Sequence, residues 1–181
     1  VRAQVESGAV IWDLVDVLPD QAITGCDEGL FEDISDEYAN FTPAPDGTGM
    51  IEDMANSGVT NLSDCCGPQI FWSYVVFYDP TNFPGAVPTT MADFYDTTKF
   101  PGKRGIHTWA QANIEMALVA DGVDPTQVYN ILSNQTGAVD RAFASLDRIK
   151  DDVVFWSAGS KPLELVKSGE VSMALAYNGR V

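Results

Sequence analysis

The residues best suited to chemistry in this chain are aromatic rings set beside polar groups: Trp12-Asp13, Trp72-Ser73, His107-Thr108-Trp109, Phe155-Trp156 and Tyr177-Asn178. The face of an aromatic ring is electron-rich. Several faces together make a box for an alkylammonium group, with carboxylates or amides fixing its polar ends. For any one ring, core packing is the plainer role, so the pattern matters only if several rings meet. Tyr177 and Trp109 are the first candidates because each directly follows a predicted strand, and ligands of open α/β sheets sit beyond the carboxyl ends of strands.

Covalent chemistry finds less to work with. His107 is the single histidine, and the chain contains neither HExxH nor GxSxG. An α/β hydrolase or transferase with His107 as general base is therefore the weaker alternative, and a plain loop position is the simpler role for that residue. Phosphate-cradling patterns GxGxxG and GxxxxGK[ST] are missing from the sequence, so no nucleotide or other cofactor is expected. Cys26, Cys65 and Cys66 fit neither a zinc ribbon nor a CxxC pair, and no metal is expected. A bridge from Cys26 to one of the adjacent pair would stabilise the fold by about 2–4 kcal/mol in an oxidising compartment and leave one thiol free. Three glycosylation sequons, at Asn40, Asn61 and Asn134, are a pattern that recurs by chance.

Composition narrows the class. The 181 residues are 45% hydrophobic and 20% charged, the mixture of a soluble globular protein with one domain or two small lobes. Ten Lys and Arg against 26 Asp and Glu give a formal charge of -16. That charge repels phosphate backbones and excludes nucleic acid as a natural partner, and it mildly concentrates small cations. The longest apolar run, Ile70 to Tyr78, is broken by Ser73 and is too short to span a bilayer.

The elements that must position the rings follow from periodicity and turn chemistry. A helix over VRAQVESG ends on Gly8, a short apolar strand is expected over Val10–Val17, and Pro19 opens a helix ending near Gly29. Residues 35–64 read as irregular, with a short helix near Met50 to Asn56. A long strand is expected over residues 69–78, then a linker. Thr90 caps a helix at MADFYD, and KFPGKRG reads as a basic loop. Helices are expected over 109–121, after Asp124-Pro125, and over 138–150. The end reads as strand VVFW, helix KPLELVKSG and buried strand EVSMALAY, an alternation that implies an α/β fold with a mainly parallel sheet. Because the chain opens inside a helix without Met and closes just after a buried strand, both ends of a longer parent are expected to be missing. A sheet cut in this way would self-associate through its edges.

The segments WDLVDV, GCDEGLFEDI, DCCGPQIFWSYVVFYD, DFYDTTKFPGKRGI, IEMALVADGV and GEVSMALAYNGRV resemble the spermidine/putrescine-type periplasmic solute-binding proteins of ABC transporters over nearly the whole chain. The resemblance implies a type II periplasmic-binding-protein fold of two lobes, both incomplete here: residues 1–80 would belong to lobe one, ending at the first hinge crossover, and 81–181 to most of lobe two. It further implies a periplasmic protein, not an enzyme, that captures a small cationic or zwitterionic, polyamine-like solute and delivers it to permease subunits. Asp20, Trp72, Ser73, Trp109, Tyr177 and Asn178 would line the ligand site, and Cys26 and Cys65 would be bridged, leaving Cys66 free. Two positions depart from the pattern. Leu18-Pro19-Asp20 stands where the family has a Ser/Tyr ligand pair, and Trp109 and Ala112 stand where polyamine binders carry an acidic pair. A sensory or scaffolding domain without a ligand is the third alternative, since fold does not fix function.

Overall fold

Helix starts in this chain are written in its cap residues. In the computed structural model, which describes residues 1–58 and 63–181, Thr90 and Asp93 form a reciprocal capping box at the start of a helix. Asp124 accepts from the Thr126 N–H where the turn after Gly122 begins. Each such bond satisfies a backbone N–H that the first helical turn leaves without a partner. The chain divides into two compact units, Val1–Ile70 and Phe71–Val181.

In the first unit, α1 (Arg2–Ser7) stops at Gly8, whose φ of 67° is left-handed and favours a residue without Cβ. The strand expected over Val10–Val17 does not form. Its residues have no ladder partner among the described residues, and strand propensity without a partner leaves Ile11 76% and Leu14 93% exposed. Next come α2 (Pro19–Asp27), with Pro at its first position, and α3 (Met50–Asn56). Cys26, near the end of α2, is bonded to Cys65, and Cys66 is a free thiol. The Tyr38 hydroxyl sits 2.9 Å from Ser63 O and 3.0 Å from Cys66 O, tying the turn beside the bridge to the preceding segment. Of the three sequons, the one at Asn61 lies outside the described residues.

The second unit is a four-stranded sheet with helices on both faces. The strands are β1 (Tyr74–Tyr78), β2 (Arg104–His107), β3 (Val153–Trp156) and β4 (Met173–Tyr177), in the order β1-β4-β2-β3. β4, β2 and β3 run parallel and β1 is antiparallel to β4. The helices are α4 (Met91–Tyr95), α5 (Asn113–Ala120), α6 (Val128–Asn134), α7 (Ala138–Asp147) and α8 (Lys161–Lys167). One face of the sheet packs on α4, α5 and α7 around Phe94, Phe100, Leu118, Ile149 and Leu175, and the other packs on α8 around Leu165, Val171 and Ala174.

Two strand expectations are corrected. The run 69–78 pairs only from Tyr74, because β4 ends at its partner Tyr177 and offers residues 69–73 no further ladder. The segment read as a basic loop runs into β2 and supplies its first two residues, Arg104 and Gly105. Its Gly105 lies opposite Ala174 so closely that a Cβ there would stand 3.0 Å from the Ala174 Cβ. Arg104 is completely buried beside it, with its guanidinium bonded to the carbonyls of Phe94, Asp96, Phe100 and Gly102 and to Ser172 Oγ. Burial pushes this guanidinium down to about 10, the direction expected when a cation leaves water without a carboxylate in contact.

An aromatic cluster at the carboxyl edge of the sheet

Because β2, β3 and β4 run parallel, their last residues His107, Trp156 and Tyr177 arrive at the same edge. The antiparallel β1 begins there, so Tyr74 faces Tyr177 across the ladder, and His107 faces Trp156. The rings meet. His107 and Trp156 have centroids 4.4 Å apart at 85°, Trp156 and Tyr177 lie 5.6 Å apart at 83°, and Tyr74 and Tyr177 lie 4.9 Å apart, with their hydroxyls at 3.3 Å. Trp72 stands edge-on to both tyrosines, 5.0 Å from Tyr177 and 5.3 Å from Tyr74. Trp109 closes the other side, 4.3 Å from His107.

Burial grades across this cluster. Trp156 and His107 are each 2% exposed and form its base, whereas Trp72 at 37% and Trp109 at 46% are open walls. Burial raises the Tyr74 hydroxyl above the ordinary phenol range, and the bond to Tyr177 adds to this. His107 Nδ1 accepts from the Trp109 backbone N–H at 2.9 Å, which requires that nitrogen to be unprotonated. Burial also pushes the imidazole below its usual value. A base whose lone pair is already committed to a backbone N–H is poorly placed to take a substrate proton.

The backbone around the cluster is tied down. Ser73 N–H donates to Asn178 Oδ1 and Asn178 N–H donates to Ser73 O, each at 3.0 Å, extending the β1–β4 pairing past its last ladder pair. The helix expected over 109–121 begins only at Asn113. Residues 108–112 are instead held as a loop by the Thr108 N–H on Trp156 O and by Asn113 Nδ2 on the carbonyls of His107 and Trp109.

Of the residues singled out in the sequence, Trp72, Ser73, Trp109, Tyr177 and Asn178 come together here, with His107 and Trp156. Asp20 is an exposed residue in the first turn of α2, in the other unit, and Trp12 also belongs to that unit. Phe155 is 63% exposed, one pleat removed from Trp156. Three contributors were missed. Tyr74 is signalled only by its period-two spacing from Trp72. Gly159 and Arg180 carry no local signal: a Cβ on Gly159 would stand 3.1 Å from the Tyr177 ring and 3.9 Å from Arg180 Nε, so both side chains lie over that glycine.

The amino-acid sequence matches the bacterial extracellular solute-binding protein family over residues 1–181. It is 40% identical over 181 residues to the gamma-aminobutyric acid-binding protein of Pseudomonas aeruginosa, covering 100% of this chain and 47% of that one. Its fold is similar to an ABC transporter substrate-binding protein from Bradyrhizobium japonicum USDA 110, with a TM-score of 0.78, 34% identity, and coverage of 99% and 51%. It is also similar to the Atu4243-GABA receptor, with a TM-score of 0.70, 33% identity, and coverage of 99% and 50%. The polyamine-type resemblance is narrowed by these findings, since a spermidine/putrescine-binding structure is 12% identical and shares the fold alone. The chain spans about half the length of the relatives it matches. The edge of rings thus stands on the α/β fold of periplasmic binding proteins, and the chain belongs to the bacterial extracellular solute-binding proteins, a family of binders and not of enzymes.

Proposed function

We propose that this chain forms part of the binding component of an ABC importer, and that its aromatic edge captures a small zwitterion bearing an amine at one end and a carboxylate at the other, as in gamma-aminobutyrate. The observation that carries this reading is the pairing of Tyr177 with Arg180 over Gly159. Arg180 is exposed and makes no ion pair among the described residues. A guanidinium beside ring faces offers a forked donor for a carboxylate, while Trp72, Tyr177 and Trp109 offer faces for the amine.

A polyamine has a cation at each end and needs a carboxylate for the second. The acidic pair of the polyamine type is replaced here by Trp109 and Ala112, and no carboxylate hydrogen-bonds to the ring cluster among the described residues. The names of the relatives that bind gamma-aminobutyrate agree with the zwitterion reading. Delivery to membrane permease subunits and a periplasmic location belong to the same proposal, and the Cys26–Cys65 bridge fits an oxidising compartment. Within the described residues no helix is long and apolar enough to cross a membrane.

The test is Arg180→Gln in the full-length protein. Gamma-aminobutyrate affinity is expected to fall by about 1 kcal/mol, the upper end for a charge pair at an exposed residue. Unchanged affinity would place the carboxylate elsewhere and sink the reading.

A further inference from the structure

We infer that His107 is a positioning residue for the Trp109 wall: its neutral imidazole holds the Trp109 backbone, and adding a proton to that ring releases the wall and weakens solute capture. The inference rests on the reading that Trp109 borders the solute site.

The geometry fixes the direction of the bond. A backbone N–H only donates, so at 2.9 Å from the Trp109 nitrogen, Nδ1 of His107 must present its lone pair. An imidazolium carries N–H at both nitrogens, and protonation therefore turns an acceptor into a donor facing a donor. The Trp109 ring itself neighbours the imidazole. Its centroid lies 4.3 Å from that of His107, and the 46% exposure of Trp109 leaves this as its nearest ring packing.

The loop that carries Trp109 has little slack. Ala112 is the one non-glycine residue with positive φ among the described residues, at 68°, a conformation that costs on the order of 1 kcal/mol for a residue with Cβ. The bonds from Trp109 N to His107, from Thr108 N to Trp156 O and from Asn113 Nδ2 to two carbonyls hold residues 108–112 against that strain. Losing the first releases the N–H side of Trp109, while Asn113 Nδ2 still holds the Trp109 carbonyl at 2.7 Å and Thr108 N–H still holds Trp156 O. The strain thus biases the loop toward opening when Nδ1 is protonated.

Among the described residues no carboxylate hydrogen-bonds to His107, so an added charge there would be met by ring faces alone. Tyr74 from β1 and Tyr177 from β4 are the ionisable groups whose rings neighbour it, at 6.5 and 6.3 Å, and burial raises the Tyr74 hydroxyl above the ordinary phenol range. Trp156 from β3 carries no charge, and neither does Asn113 from α5, whose first turn contributes Glu115 as its one acid. Arg180, next to Tyr177, is a fixed cation that opposes a second one. Desolvation holds the ring below the ordinary histidine range, partly offset by a backbone hydrogen bond with Ser157, so the release belongs to the acid side of neutrality.

The experiment follows the Trp109 backbone amide and the His107 imidazole by NMR in the full-length protein from about pH 8 to about pH 5, a range that spans histidine titration. In parallel, calorimetry measures gamma-aminobutyrate affinity. The two resonances are expected to move with one midpoint, and affinity to fall about tenfold across it, the change that a one-unit difference in pKa between free and bound protein produces. His107→Asn places a non-titrating oxygen near the Nδ1 position. It is expected to flatten the pH profile of affinity, whatever its affinity at neutral pH. A Trp109 amide that ignores His107 overturns the inference, as does an unchanged pH profile in His107→Asn. If gamma-aminobutyrate fails to bind at any pH, the zwitterion reading fails, and the amide titration still decides the link between His107 and Trp109.

Discussion

Replacing Arg104 with Met tests how the sheet edge is held in place. The substitution keeps the length and apolar stem of the side chain and removes the charged fork that bridges the end of α4, the turn at Phe100–Gly102 and the start of β4. It deletes the hydrogen bonds from Nε to Phe94 O at 2.6 Å, from Nη1 to Gly102 O at 2.5 Å and from Nη2 to Phe100 O at 2.5 Å, and leaves those carbonyls in a region where Arg104 itself is fully buried. A hydrogen bond to a charged group is worth about 1.5–3 kcal/mol net, and three strong ones total about 4–9 kcal/mol. Against this stands the relief of burying a guanidinium without a carboxylate partner, a cost of several kcal/mol. The balance is a loss of about 3 kcal/mol, which lowers the melting temperature of a unit this size by about 10 °C. Thermal unfolding followed by circular dichroism reads it directly. Because β2 starts at Arg104 and ends at His107, solute affinity should fall along with stability. A melting temperature within about 2 °C of the parent would refute the reasoning, since it would mean that those carbonyls do not depend on the guanidinium.

Three further outcomes are expected. Tyr177→Ala should weaken gamma-aminobutyrate binding by about 1–2 kcal/mol, the worth of a cation–π face in a partly desolvated site, and Tyr177→Phe should cost less because it removes only the 3.3 Å contact with the Tyr74 hydroxyl; calorimetry on both variants checks the order. Reducing the Cys26–Cys65 bridge should destabilise the first unit by about 2–4 kcal/mol, seen as a lower urea midpoint with reductant than without it. Asp93→Ala should cost about 1–2 kcal/mol by removing the Asp93 half of the capping box of α4, while Thr90 still caps the helix, together with the 2.8 Å ion pair to Lys99. Lys99 and the Thr89 N–H hold the Asp93 carboxyl well below the usual range. Its contribution is therefore full above the unfolded carboxylate pKa of about 4 and is lost as pH falls further; a pH series of denaturation midpoints, steeper below that value in the parent than in the variant, checks the sign.

Much of the second unit could be read from its residues because the signals there are local. Thr90 with Asp93, Gly122, and Asp124-Pro125 each mark a helix boundary through bonds made within a few residues. β2 was hidden for the opposite reason. In RGIH only Ile106 is a strand former; Arg104 is in place through carbonyls contributed by separate turns, and Gly105 through the nearness of Ala174. Val10–Val17 shows the converse failure, since its β-branched residues fit a strand but a strand exists only with a ladder partner. In the site, rings placed at strand ends were enough to nominate Trp72, Trp109 and Tyr177. Finding Gly159 required the contact between the loop after β3 and the end of β4, which no spacing in the sequence encodes.

The most direct test of the zwitterion reading is calorimetric titration of the full-length protein with gamma-aminobutyrate and, separately, with putrescine, with Arg180→Gln alongside. Saturable binding of gamma-aminobutyrate that is weakened in Arg180→Gln, with putrescine binding more weakly, is the expected result. Tighter binding of putrescine, or gamma-aminobutyrate binding indifferent to Arg180, would contradict it.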